Sequence, residues 1–132
     1  MLNEHKDILL VNEMFWFNLM RREMKKAYSN KEKACLVYKK LAGIRNNKKL
    51  KSKKVFNEIY KRSKNADEFY IVMMEYLAKY FGKKRWGEKN ILIFEDILKN
   101  TLNQFPNAKI IYLMRDPRAV INSLNKSLNI FS

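Results

Sequence analysis

Phe105-Pro106-Asn107-Ala108-Lys109-Ile110-Ile111-Tyr112-Leu113-Met114-Arg115-Asp116-Pro117-Arg118-Ala119-Val120-Ile121-Asn122-Ser123 is the stretch on which the fold class turns. Pro106 closes a preceding helix, because it has no amide to donate and disfavours the helical region in the residue before it. Ile110 to Met114 is a continuous apolar run of strand length, which predicts a strand buried on both faces. Asp116 supplies an N-cap, and Pro117 a first helical residue whose φ is preset and whose missing N–H is not needed there. The order is therefore strand, sharp turn, helix, with Arg115 at the strand's C-terminal edge. In an open parallel α/β sheet that edge is where ligands bind. Arg115 is a rigid cationic fork and Ser123 a hydroxyl two turns into the helix, a pair suited to holding a phosphate through charge-assisted hydrogen bonds. The same order also serves any α/β protein in which Arg-Asp-Pro is merely a good cap.

Working outward, 132 residues bound the chain to one domain, long enough for a real core but short for an α/β transferase. A hydrophobic content of 47% with 13% aromatic residues excludes a disordered tail. No apolar run approaches the roughly 20 residues needed to span a bilayer. The N-terminus carries Glu4 and Asp7 early and lacks the basic-then-apolar pattern of a signal peptide, which points to the cytoplasm. Cys35 is the one cysteine and His5 the one histidine, so neither a disulfide framework nor a zinc site is expected. Cys35 reads as a small buried hydrophobe on a helix.

Charge is unevenly placed. Residues 21–64 hold seventeen Lys and Arg against Glu23, Glu32 and Glu58, which is fourteen of the chain's fifteen net positive charges. Such a block binds nucleic acid, an anionic membrane or an acidic ligand, or is simply a solvated helical surface. It lacks the interleaved stacking aromatics of single-strand binders and any recognisable DNA-reading module, so nucleic acid is an unlikely partner.

The opening stretch resembles the 3′-phosphate-binding segment of sulfotransferases that use 3′-phosphoadenosine 5′-phosphosulfate (PAPS), most of all the bacterial and tyrosylprotein branches. In that family an Arg ends a strand and a Ser eight residues later shares the donor's 3′-phosphate; Arg115 and Ser123 have that spacing. Two further passages resemble the family in the same order. Arg85-Trp86-Gly87-Glu88-Lys89-Asn90 resembles its RWGEKTP passage, a short strand leading to a lysine that faces the donor's bridging oxygen. The resemblance thus implies that Lys89 stabilises the leaving group. Asn90-Ile91 departs from the Thr-Pro of that pattern and loses a hydroxyl and a rigid turn. Leu2-Asn3-Glu4-His5-Lys6-Asp7-Ile8 resembles the LDAHPDI passage, with Lys6 in place of Pro. The acidic residue that follows it in the tyrosylprotein branch, where a Glu accepts the acceptor's proton, falls at Glu13. Read without the family, Glu13 is a first-turn carboxylate favoured by the helix dipole.

Along the rest of the chain, Ile8-Leu9-Leu10-Val11 predicts a strand, and Asn12-Glu13 opens a helix through Met20. Residues 22–64 read as helical and basic. Ala34, Cys35, Val37, Tyr38, Leu41 and Ala42 form an apolar stripe ended by Gly43. Residues 44–54 read as an exposed connector, and Val55, Phe56, Ile59 and Tyr60 as the face of a further helix. Asn65-Ala66-Asp67-Glu68 reads as a cap, with Glu68 three residues after Asn65. The helix behind it carries Phe69, Tyr70, Met73, Met74, Leu77, Tyr80 and Phe81 as core and stops at Gly82. Ile91, Phe94, Ile97, Leu98, Thr101, Leu102 and Phe105 stripe another helix, expected to lie on the sheet.

The expectation is a helix-rich α/β protein with a partial, P-loop-like parallel sheet built from 8–11, 84–88 and 109–114. Residues 21–64 form a basic helical insert, and residues 84–126 the donor's 3′-phosphate half. By the resemblance, the chemistry is transfer of a sulfonate from PAPS to a hydroxyl or amine. Arg115 and Ser123 bind the 3′-phosphate, Lys89 and Glu13 are catalytic, and no metal is involved. The family's Gly- and Ser/Thr-rich phosphosulfate loop matches nothing here, where the glycines are Gly43, Gly82 and Gly87. The chain is accordingly expected to be a piece of a longer sulfotransferase, weakly active alone and prone to self-association. The alternative is a basic helical protein that binds nucleic acid or serves a structural role without catalysis.

Overall fold

A computed structural model describes residues 5–12, 14, 16–41, 47–90, 95–114 and 116–128, with the side chains of residue 18 and of residues from 123 onward left out. Two short strands, β1 (Ile8–Asn12) and β2 (Arg85–Lys89), pair in parallel, with Ile8 opposite Arg85 and Asn12 opposite Lys89. Parallel pairing requires a crossover, and the helices between the strands supply it. A π-helical turn (Trp16–Met20) runs into α1 (Arg21–Ala27), followed by α2 (Lys31–Lys40), α3 (Lys53–Lys61) and α4 (Ala66–Tyr80). After β2 come α5 (Glu95–Gln104) and α6 (Pro117–Leu128). The fold is α/β and rich in helix, as expected.

Local chemistry explains where the helices start and stop. Asn30 Oδ1 accepts from the Glu32 and Lys33 amides at the head of α2, and Ser52 Oγ accepts from Val55 N at the head of α3. Asn65 Oδ1 accepts from Glu68 N at 2.9 Å, while the Glu68 carboxylate reaches back to Lys64 N at 2.9 Å. That is a capping box displaced outward by one residue. At the far end of α4, Gly82 adopts φ +66°. Its amide bonds Lys79 O and the next amide, of Lys83, bonds Ala78 O, the two bonds of a Schellman motif. Asp116 Oδ1 caps α6 through Arg118 N at 2.9 Å, with Pro117 in the first helical position.

The core is built around α4, whose Ala66, Phe69, Tyr70, Met73, Met74, Leu77 and Ala78 are buried at helical spacing. It packs on α1, α3 and both strands. Ala34, Cys35, Val37, Tyr38 and Leu41 of the α2 stripe and Phe56 and Ile59 of α3 join it. Ala42 and Gly43, assigned to that stripe and its stop, lie outside the described residues.

Several expectations are corrected. Residues 109–114 form no regular element and join no strand, and among the described residues the sheet holds β1 and β2. Far from being buried on both faces, Leu113 and Met114 are 85% and 87% exposed. An apolar run predicts burial only where a neighbouring strand and covering layers exist to receive it, and the described chain offers neither. The helix expected from Asn12 starts instead at Trp16, because Asn12 stays in the ladder opposite Lys89. Basic segment 22–64 is broken at Tyr28–Asn30, which was not expected, as well as before α3, where the connector was. Within the connector expected to be exposed, Leu50 is buried and its carbonyl accepts the Tyr38 hydroxyl. Helix α5 packs chiefly on the π-helical turn, with none of its residues fully buried.

Candidate functional site

Parallel pairing puts the C-terminal ends of β1 and β2 side by side, and the second of them leads into a cavity of about 540 Å³. Its walls come from three places: Trp86, Gly87, Glu88 and Asn90 of β2 and its exit, the inner side of α5 through Ile97, Leu98, Thr101 and Gln104, and the segment from Phe105 to Ile111. Phe17 and Tyr70 close the inner end. Four aromatic rings meet there. Trp86 stands edge-on to Phe105 at 5.6 Å and to Tyr70 at 5.9 Å between ring centroids, and Phe17 edge-on to Phe105 at 6.2 Å. Such geometries are favoured by the ring quadrupoles. Behind them Trp16 lies flat on Tyr70 at 4.5 Å.

Glu88 is the acidic group of this wall. Its Oε2 accepts the Tyr70 hydroxyl at 2.6 Å and its Oε1 the Trp16 backbone amide at 3.4 Å. One carboxylate thereby ties β2 to α4 and to the π-helical turn. Burial, and then the Glu88 charge, push the Tyr70 phenol well above its ordinary range. Tyr70 therefore stays a donor. Two amide oxygens, Asn90 Oδ1 and Gln104 Oε1, are buried without a hydrogen-bond partner among the described residues. An unmet buried acceptor costs about 1–3 kcal/mol, so these two are informative.

A second, shallower groove is lined by Phe17 and by Arg21, Arg22, Lys25 and Lys26 of α1. Asp67 of α4 takes a forked ion pair from Arg21 at 2.7 and 3.0 Å and a third contact from Lys25 at 3.3 Å. Hydrogen bonding from Arg21 holds the Asp67 carboxyl below its usual range, and Arg21 is raised in turn.

Of the residues singled out from sequence, Lys89 is exposed at the end of β2 and paired across the ladder with Asn12. Side chains alternate along a strand, so Lys89 leaves from the face opposite Glu88. Lys89 does not line the cavity. Glu13 and Arg115 lie outside the described residues, and at Ser123 only the backbone, within α6, is described. Sequence reasoning passed over Glu88, Tyr70 and Gln104. The available signal was the alternation in β2, which sets Trp86 and Glu88 on one face next to the aromatic stripe of α4. Among the described residues no three His, Cys, Asp or Glu side chains cluster as a metal site.

Comparison with known proteins agrees with the motif reading. The model of the sulfotransferase family matches residues 1–131. No curated protein and no solved structure matches the chain. The chain belongs to the sulfotransferase family, and sulfuryl transfer is the class of chemistry that membership brings. No helix among the described residues is long and apolar enough to cross a membrane.

Proposed function

We infer that this chain carries the 3′-phosphate half of a PAPS-dependent sulfotransferase site, with a hydroxyl or amine as acceptor. The acceptor's lone pair attacks sulfur in line, the bond from sulfur to the 5′-phosphate oxygen breaks, and the donor leaves as 3′-phosphoadenosine 5′-phosphate. Lys89 stabilises the charge that grows on the leaving phosphate oxygen, as cations do in phosphoryl transfer. Glu13 receives the acceptor's proton. Arg115 and Ser123 hold the 3′-phosphate, which anchors the nucleotide while its other end reacts.

The register of the sheet supports this most directly, since Asn12, which Glu13 follows in the chain, is paired with Lys89. The Asp116-capped start of α6, directly after Arg115, adds a helix N-terminus suited to an anion. Gly82 ends a helix and Gly87 sits inside β2, so neither opens a phosphate-cradling loop. The donor's phosphosulfate end is therefore assigned no residue besides Lys89. Calorimetric titration with 3′-phosphoadenosine 5′-phosphate tests the reading. Saturable binding that disappears in Arg115→Ala is the expected result. A folded chain that binds none of it overturns the assignment.

A further inference from the structure

Helix α1 repeats one arrangement of cations. Residues four apart on a helix are neighbours, about 5–6 Å between Cβ atoms, so Arg21 stands beside Lys25 and Arg22 beside Lys26. The first pair already holds a carboxylate, since Asp67 takes the Arg21 fork at 2.7 and 3.0 Å and Lys25 Nζ at 3.3 Å. The second pair has the same two residue types at the same spacing. Both of its members are exposed, and neither has a carboxylate partner among the described residues. Like charges four apart repel each other, and an anion between them relieves that cost.

All four cations line the shallow groove of about 420 Å³, whose other described wall is Phe17. Phe17 is half-buried and stands edge-on to Tyr70 at 6.0 Å and to Phe105 at 6.2 Å, so a ring packed on the core borders the cations. The nearest acids in the chain do not line the groove: Glu23 on α1, and Glu68, whose carboxylate accepts from Lys64 N.

We propose that this groove is a binding site for a small aryl carboxylate. Arg22 and Lys26 hold its carboxylate as Arg21 and Lys25 hold that of Asp67, the guanidinium fork matching the two oxygens. Its ring lies against Phe17. A cationic ligand meets four like charges here, and a neutral one leaves the Arg22–Lys26 repulsion unrelieved. No residue assigned to the sulfonate donor takes part, so the proposal stands or falls apart from that reading.

Benzoate, benzyl alcohol and acetate are the probes, titrated into the isotope-labelled folded chain near neutral pH and followed by NMR. Benzoate is expected to saturate, with shifts centred on Phe17 and on Arg21 to Lys26. It should bind roughly fivefold or more tightly than benzyl alcohol, which lacks the charge, and acetate, which lacks the ring. Arg22→Ala with Lys26→Ala, at exposed positions where alanine favours helix, should weaken benzoate roughly tenfold with unchanged circular dichroism. Lys53→Ala with Lys54→Ala removes the same charge from the exposed side of α3 and should leave the affinity unchanged. Should the first pair of changes prevent folding, Arg22→Gln alone carries the test through a several-fold loss. Equal loss in the two double variants, shifts scattered over the basic surface, acetate or benzyl alcohol binding as tightly as benzoate, or no saturable binding overturns the proposal. A parallel titration with 3′-phosphoadenosine 5′-phosphate separates the two readings. Nucleotide binding that survives Arg22→Ala with Lys26→Ala while benzoate binding is lost supports a separate site. Nucleotide that displaces benzoate from α1 gives the groove to the nucleotide and overturns the proposal.

Discussion

Asp67 shows how much one side chain can organise. Its carboxylate holds the Arg21 fork and Lys25 while standing in the first turn of α4, where the helix dipole also favours it. Asp67→Asn is expected to lower stability by about 1–2 kcal/mol at neutral pH, since the ions are partly solvated. Chemical denaturation across pH checks the sign. Because the native carboxyl is depressed, its contribution is present above the unfolded value of about 4 and is lost as pH falls through the lower native value. The gap between wild type and variant must therefore close in acid. Tyr70 and Tyr38 behave oppositely, both raised chiefly by burial. The stability they confer is fully present below about pH 10, the unfolded phenol value, and is lost as pH rises through their raised native values. Ultraviolet titration of the native protein should show these two phenols ionising only beyond the ordinary range. Tyr70→Phe should cost about 1–3 kcal/mol in denaturant, by removing a donor from a half-buried carboxylate. None of these pairings was legible in the sequence, because Arg21 and Asp67 are 46 positions apart and Tyr70 and Glu88 18 apart.

At the scale of elements, the sequence was most readable where a few adjacent residues complete the geometry. The Asn65 cap, the Gly82 stop and the Asp116-Pro117 start each need only a neighbouring amide or a permitted φ, so tertiary context has little to overrule. The two described glycines separate conformation from space. A Cβ at Gly82 meets nothing within 4 Å but must sit at φ +66°, so Gly82→Ala should cost about 1 kcal/mol through backbone strain. A Cβ at Gly87 meets Leu10 Cδ1 at 3.5 Å, an ordinary contact at an unstrained φ. Gly87→Ala should leave the thermal midpoint nearly unchanged, and a large drop there would show that the strand pair tolerates less than the geometry implies. Element boundaries were read less well. The end of β1, the break at Tyr28–Asn30 and the burial of Leu50 depend on ladder pairing and on the Tyr38 hydroxyl, which no local window contains.

The whole molecule carries two surfaces with opposite consequences. Among the seventeen cations of residues 21–64, Arg21, Lys25 and Arg62 have carboxylate partners among the described residues, and the segment keeps a strongly positive surface. If that surface bound nucleic acid, affinity would fall steeply with salt, which a fluorescence titration at two ionic strengths would reveal. The exposed run from Ile110 to Met114 pulls the other way, as a contiguous apolar surface promotes association. Sedimentation velocity should show concentration-dependent self-association that Ile111→Lys with Leu113→Glu suppresses. A wild-type chain monomeric at every concentration would mean that the run is covered in solution.

By itself the sequence determined the α/β class, the helix caps, the apolar faces of α2, α3 and α4, and through three ordered passages the family. Those features follow from periodicity and from chemistry within a turn or two. Only the tertiary structure decided that β2 pairs with β1, that 109–114 joins neither, and that Glu88, Asn90 and Gln104 meet across an aromatic cavity. The reason is physical. A strand's fate depends on whether a partner edge is present, and a polar group's role on what buries it, and both are set by residues far away in the chain.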